Sequence, residues 1–286
     1  MMKLNKNMNI LIVGLGLIGG SYAQALTEKG YRVTAITKDQ SSVDYAVDHG
    51  YIEKGYTEVT EEVVSSADLL IFALYPHVFT EWLEQYGKLI RKGAVVTDVT
   101  GVKEAIIDRV LYLLPEGVEF IAAHPMAGRE LSGIEYSDSS LFKVANYIVV
   151  PTEQNEEETI QMCEELGREL GFARITRLTP AEHDKMIAFL SQLTHCIAVS
   201  LMCTSDEPGL EKYTGDSFRA LTRIAKINDE MWSELFTLNR PALLAQMDAF
   251  AETFNTLRTA LATGDTEKMR SMMKKSTERR KLFDKK

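Results

Sequence analysis

Cysteine is scarce, with three residues in 286, Cys163, Cys196 and Cys203, and their spacing fits neither a disulfide framework, a metal site nor a redox pair. Cys196 and Cys203 fall on one helical stretch, where seven residues at 1.5 Å rise set their Cα atoms about 10 Å apart, too far to bridge. A reducing, cytoplasmic setting and no bound metal are expected. Basic residues are also in deficit: 32 Lys and Arg against 41 Asp and Glu leave a net charge of −9. That excludes a broad phosphate-neutralising surface, and no nucleic-acid partner is expected. A small anionic substrate remains possible, because it needs only a few well-placed cations. No uninterrupted apolar stretch reaches the roughly 18 residues of a membrane helix, and the polar residues 1–9 are no signal peptide. Repeats and low-complexity linkers are missing too. What is present, 45% hydrophobic and 26% charged residues, is the balance of a globular protein with one large domain or two ordinary ones.

The first part of the chain alternates two patterns. Short apolar or β-branched runs at residues 9–13, 31–36, 68–74, 94–97, 119–122, 146–150 and 173–176 read as strands. Helical spacing separates several of them, at 17–29, 77–90 and 103–113, and after residue 150 a helix begins with Glu156, Glu157 and Glu158, acids that suit the positive end of its dipole. Alternating strands and helices imply a parallel sheet covered on both faces. After Thr179-Pro180, an N-cap followed by a first-turn proline, no strand is expected. Helices are expected at 181–204, 217–226, 230–263 (with Pro241 near a break) and 265–283. The expected architecture is therefore an α/β doubly wound parallel sheet, residues 1–177, followed by an all-α domain, residues 178–286. A helical domain this apolar, with no sheet to cover, is expected to bury surface against a second subunit, giving a homodimer.

Between the first strand and first helix lies Gly14-Leu15-Gly16-Leu17-Ile18-Gly19, the G-x-G-x-x-G of a Rossmann dinucleotide site. Its first glycine permits the turn and its second lets the backbone approach a pyrophosphate. The third allows helix and strand to pack closely, and the helix N-terminus at Leu17 and Ile18 supplies N–H groups. An acid about 20 residues on would hold ribose hydroxyls in an NAD enzyme. This chain has Thr37-Lys38-Asp39, with Thr37 where the acid is expected, Lys38 able to pair with a 2′-phosphate, and Asp39 two residues late. NAD and NADP both stay open, with a lean to NADP.

At the end of a strand stands His124, where ligands of doubly wound sheets collect. A histidine there can accept a hydroxyl proton while hydride leaves the same carbon. The block His124-Pro-Met-Ala-Gly-Arg-Glu-Leu-Ser-Gly133, with GLGLIGGS at 14–21 and TRIA at 222–225, resembles the prephenate and arogenate dehydrogenase family from residue 8 to about residue 260. The resemblance implies NAD(P)-dependent oxidation of a cyclohexadienol at C4, with loss of the C1 carboxylate as CO2. Prephenate would give 4-hydroxyphenylpyruvate in tyrosine biosynthesis; arogenate is the alternative substrate. By matching position, His124 is the group that bonds the C4 hydroxyl, Glu130 resembles the acid that steadies the site, and Arg223 binds a substrate carboxylate. Trp232 matches an aromatic near the site.

His195, in the segment Phe189-Leu-Ser-Gln-Leu-Thr-His195, resembles a substrate-side histidine that favours prephenate, while Gln192 stands where the family has another histidine. The family's D-x-x-S-V-K reads Asp98-Val-Thr-Gly-Val-Lys103, so Gly101 replaces the serine and Thr100 is the adjacent hydroxyl. His183 is expected to support the first turn of its helix, and His49 and His77 to be surface or capping residues. The resemblance implies neither a further regulatory domain behind the helices nor a mutase domain in front. A β-hydroxyacid-type dehydrogenase would share the nucleotide half, yet it relies on a helical-domain lysine and leaves the His124 block unexplained. A nucleotide-binding regulator without turnover is the reading from a different class.

Overall fold

The computed structural model describes residues 3–129 and 131–284. Its nucleotide half runs β1 (Asn9–Val13), α1 (Leu17–Glu28), β2 (Arg32–Ile36), α2 (Gln40–Asp48), β3 (Lys54–Tyr56), α3 (Glu61–Ser65), β4 (Leu69–Phe72), α4 (Pro76–Tyr86), β5 (Val95–Asp98), α5 (Glu104–Leu113) and β6 (Glu119–Pro125). It closes with β7 (Asn146–Val150), α6 (Glu157–Glu169) and β8 (Arg174–Arg177). Eight strands form one sheet in the order β3-β2-β1-β4-β5-β6-β7-β8. The chain reverses its direction of growth between β1 and β4, which pair through Ile10↔Leu69 to Val13↔Phe72. An open sheet leaves its ligand crevice at the carboxyl ends of strands flanking such a switch.

The apolar runs alternate between faces, as a period of two requires. Ile10 and Ile12 of β1 join Tyr22 and Leu26 of α1 in one buried layer, while Leu11 and Val13 join Phe79, Trp82 and Ile107 in the other. Two details depart from the sequence reading. The three residues of β3, Lys-Gly-Tyr, carry no apolar run and pair with β2 through Thr34↔Lys54 to Ile36↔Tyr56. The sheet is not wholly parallel either, because β7 runs antiparallel to β6, with His124 opposite Ile148. Among the described residues the connection between these two strands holds short 3-10 turns at Ile134–Tyr136 and Ser139–Val144, and antiparallel neighbours need no crossover helix.

Beyond β8 come α7 (Pro180–Ile187), α8 (Leu193–Met202), α9 (Asp216–Thr222), α10 (Asp229–Leu238), α11 (Arg240–Ala262) and α12 (Thr266–Arg280). Thr179 and Glu182 form a reciprocal capping box on α7. A π turn, Ala188–Gln192, joins α7 to α8, so the expected single helix is locally widened and underwound. The second expected helix ends at Thr222 and continues as a 3-10 turn, Arg223–Ala225. Within Pro180–Met202 an 18-residue window reaches a mean hydropathy of 1.4, long and apolar enough by composition alone to cross a membrane. The run nonetheless buries His183, Asp184 and Gln192 in hydrogen bonds. By compactness the chain divides into Met1–Asn239 and Arg240–Lys286. In the second unit α11 and α12 pack together, and α11 leaves Leu244, Phe250, Phe254 and Leu261 exposed.

Candidate active site

The β1–α1 turn has the shape of a phosphate cradle. Gly14 holds φ +101°, and a Cβ there would lie 2.6 Å from the carbonyl oxygen of Ala73 at the end of β4. At Gly19 a Cβ would lie 1.9 Å from the Gly14 carbonyl oxygen, so any side chain would wedge strand from helix. Gly16 faces open space, with nothing within 4 Å of its missing Cβ. It is the N-cap of α1 and provides no side-chain cap, which leaves the first-turn N–H groups at Leu17 and Ile18 to a ligand. These residues fit a dinucleotide pyrophosphate. Gly20, outside the motif proper, is demanded by another element: a Cβ there would fall 2.1 Å from Ser137 Oγ and 2.9 Å from Ile134 Cγ1. The segment following β6 is thereby seated on the nucleotide helix, and Ser21 Oγ accepts from the Asp138 N–H at 2.9 Å.

At the tip of β2, the Thr37 N–H donates to the Tyr56 carbonyl at 3.0 Å and Lys38 is exposed. Asp39 is the N-cap of α2 and takes hydrogen bonds from the Ser42 N–H at 3.1 Å and from the hydroxyls of Ser41 at 2.9 Å and Ser42 at 2.6 Å. Those bonds hold its carboxyl below the usual carboxylate range. All three bonds go to Oδ2, which is thus tied into its own turn.

His124 ends the buried run of β6 and is half-buried. Its Nδ1 lies 2.9 Å from His183 Nε2, and His183 Nδ1 lies 2.7 Å from Asp184 Oδ1. A carboxylate only accepts, so His183 carries its proton on Nδ1 and presents a bare Nε2. His124 must therefore donate from Nδ1, which leaves its own Nε2 as an acceptor. Burial, then repulsion by His183 and Lys103, pushes the His124 pKa well below the usual 6.5. Burial also lowers the pKa of His183, although the bond to Asp184 opposes it. His183 is thus no mere helix-start residue, as its sequence position suggested; Thr179 and Glu182 do that work. The available signal was a His-Asp pair one turn into an apolar helix.

A second buried network sets the backbone beneath His124. Asp98, the last residue of β5, accepts from the Ala123 N–H at 3.1 Å, and Lys103 Nζ donates to the Ala123 carbonyl at 2.7 Å and to Asp98 at 2.6 Å. Their side chains carry the β5–β6 ladder past its last backbone pair, Thr97↔Ile121. Lys103 is fully buried, and desolvation lowers its pKa against the pull of Asp98. The Thr100 hydroxyl donates to Asp98 and lies 3.1 Å from both Lys103 Nζ and the Val102 carbonyl, which ties it into this buried network. At Gly101 a Cβ would lie 3.5 Å from Leu235 and 3.9 Å from His124 Cε1, ordinary contacts that place this position at the edge of the histidine.

The helical elements bring a second group of residues into play. Gln192 is 1% exposed, donates to the Leu235 carbonyl at 3.1 Å and accepts from Asn239 Nδ2 at 2.8 Å. Both ends of its amide are bonded within the helical elements. His195 Nδ1 bonds the Ser191 carbonyl at 2.8 Å, and its ring stacks on Trp232 with centroids 3.7 Å apart. Arg223 is exposed and opens the 3-10 turn that packs on α8, the helix of His195. Glu130 lies outside the described residues.

Comparison with known proteins bears on the family and the fold. A family model described as the prephenate dehydrogenase nucleotide-binding domain matches residues 22–176, and one described as the prephenate dehydrogenase dimerization domain matches residues 179–275. The chain is 27% identical over 267 residues to a prephenate dehydrogenase of Bacillus subtilis, covering 91% of this chain and 72% of that one. Among solved structures, prephenate dehydrogenase from A. aeolicus in complex with hydroxyphenyl propionate and NAD+ superposes with a TM-score of 0.90 at 27% identity, over 99% of this chain and 100% of that one. Synechocystis arogenate dehydrogenase superposes at 0.83 with 26% identity, over 97% and 100%. The two family models together cover the strand that carries His124 and the helices that carry His183, His195 and Arg223, and the chain belongs to the prephenate dehydrogenase family.

Proposed function

We propose that this protein is a prephenate dehydrogenase, catalysing NAD(P)-dependent oxidative decarboxylation of prephenate to 4-hydroxyphenylpyruvate in tyrosine biosynthesis. The observation that carries the reading is the Asp184–His183–His124 chain, which supports a proton-free His124 Nε2 at the end of β6. The dinucleotide, held by Gly14, Gly16, Gly19 and the first turn of α1, supplies the two-electron acceptor. The C4 hydrogen would leave with its electron pair to that acceptor while His124 takes the C4 hydroxyl proton, so that the oxygen becomes a carbonyl. The C1–carboxylate bond breaks, its electron pair enters the ring, and CO2 departs from an aromatic product. Arg223 suits a substrate carboxylate, since a guanidinium binds one bidentately. Residues 178–286 would then form the substrate-binding and dimerisation domain.

Three finer readings go with it. Thr37 in place of an acid, the use of Asp39 Oδ2 in its own turn and the nearby Lys38 favour acceptance of NADP at least on a par with NAD. Retention of His195 favours prephenate over arogenate. Met186, Phe189 and Leu190 on the apolar helical run are exposed, as are Phe250 and Phe254, and a second copy of the chain is the occupant we assign to these faces. Unpaired Cys163, Cys196 and Cys203 are compatible with a cytoplasmic enzyme.

Steady-state assay with prephenate and arogenate, each with NAD and NADP, tests the activity. His124→Asn tests the base: acid–base assistance is worth about 10²–10⁴-fold, so kcat falls by that order with cofactor affinity unchanged. Retention of more than about a tenth of wild-type kcat would make the histidine structural.

A further inference from the structure

Helix α10 touches both sides of the proposed reaction centre. On its substrate side, Trp232 stacks on His195 and the Leu235 side chain lies over Gly101, next to His124. On its other side, α10 reaches the crest where β4 passes into α4, residues 73–77. That crest borders the dinucleotide cradle, since the Ala73 carbonyl lies against Gly14. Glu234 makes the junction with both oxygens: one accepts the His77 backbone N–H at 2.7 Å, and the other lies 2.8 Å from His77 Nδ1. Asn228, the N-cap of α10, adds a bond from Nδ2 to the Tyr75 hydroxyl at 3.2 Å. A paired grip on a main-chain amide and its own side chain fixes the orientation of the crest as well as its distance. Glu234 thereby also caps α4 from outside, because Tyr75 offers no side-chain cap and Pro76 has no N–H, leaving the His77 N–H as the first amide to satisfy.

We propose that Glu234 is a positioning residue that clasps the cofactor-side crest at His77 to α10, so that dinucleotide and substrate each tighten the binding of the other. A ligand seated against His195 and Trp232 holds α10 in place, and Glu234 then holds the crest against the cofactor. By linkage the effect is reciprocal. This coupling presupposes the dinucleotide and substrate pockets assigned above. His77, which the sequence marks only as a surface or capping residue, becomes the receiving end of the clasp.

Calorimetric titration of the full chain with NAD+, with and without saturating hydroxyphenyl propionate, measures the coupling as a ratio of dissociation constants. The wild type should show a ratio of about fivefold or more, within the usual range of such couplings, and Glu234→Ala should bring it below about twofold while NAD+ alone still binds. His77→Ala, at an exposed position that folding tolerates, removes one of the two bonds and should lower the ratio by at least about half; it decides the matter if Glu234→Ala no longer binds NAD+. A wild-type ratio near one, or a variant that binds NAD+ and keeps the wild-type ratio, overturns the clasp. Turnover of prephenate or arogenate by the same wild-type preparation tests the activity separately, so an active enzyme without coupling refutes only the role of Glu234.

Discussion

Replacing His183 by phenylalanine keeps a buried ring and deletes both of its hydrogen bonds. In the native site, the bond from His124 Nδ1 to His183 Nε2 is what selects the tautomer with a bare Nε2 on His124. Without it the Nδ1 proton has no acceptor in a buried setting, and that tautomer loses about 1–3 kcal/mol relative to the one protonated at Nε2. Converted at 1.4 kcal/mol per decade, kcat should fall about 5- to 150-fold, because the other tautomer offers the substrate hydroxyl a donor instead of an acceptor. The fold should tolerate the change, since Asp184 keeps its bonds from the N–H groups of Lys103 and Glu104, both at 2.9 Å. The pH profile supplies an independent check. Burial is the main cause that depresses the His124 pKa and survives the substitution, whereas the repulsion from His183, the second cause, is removed. Activity requires neutral His124 and is lost as pH falls through its pKa. The wild-type acid limb therefore lies well below 6.5, and in His183→Phe it should move upward toward that value. Initial rates of reduced nicotinamide formation across pH, with cofactor affinity measured alongside, give both readouts. A variant with kcat within about twofold of wild type and an unmoved acid limb would refute tautomer selection by His183.

Three further outcomes are expected. Arg223→Ala should raise KM for substrate with kcat less affected, lowering kcat/KM about 10- to 100-fold for a lost charge-assisted hydrogen bond, and an unchanged KM would return Arg223 to the solvated surface. Thr37→Asp should shift preference toward NAD by placing a charge against a 2′-phosphate; a wild type that already prefers NAD by about a hundredfold would refute the reading of the β2 tip. Gly20→Ala should cost about 1–3 kcal/mol in chemical denaturation, because its Cβ would meet Ser137 Oγ at 2.1 Å, and a stability equal to wild type would show that the 134–137 turn moves aside freely.

Much of the fold can be read from local pattern because each apolar strand is buried on both faces and leaves an unbroken run. Lys54-Gly55-Tyr56 escapes that reading since its pairing with β2 is decided by a neighbour already in place. The direction of β7 escapes it too, because periodicity carries no sign and only the length and content of residues 126–145 bear on it. The helix carrying Arg223 shows a related limit: DSFRALTRIAK keeps a helical apolar face through residue 225, yet the chain tightens to a 3-10 turn at 223. At the cofactor site, by contrast, the meaning of Gly14, Gly16 and Gly19 is nearly all contained in the turn itself. His124 was found because it stands in a contiguous block at a strand end.

The polar residues around His124 behave differently, because a side chain's role depends on which of its bonds are already taken. Thr100 and Gln192 have the chemistry to meet a substrate, and the fold bonds both of them internally. Lys103 shows why such groups are hard to find from sequence and costly to lose. Its ammonium joins Asp98 to the Ala123 carbonyl, while its backbone N–H donates to Asp184, the anchor of the histidine chain. One residue therefore belongs to both buried networks: its side chain sets the strand that carries His124, and its main chain holds the carboxylate that orients His183. A buried ion pair is a poor source of stability unless each partner is fully bonded. Asp98 and Lys103 meet that condition by bonding the peptide groups of Ala123, the residue immediately before His124. Their energetic cost is thereby turned into precise placement of a base, and this is a relation between residues 98, 103, 123 and 184 that local sequence pattern does not encode.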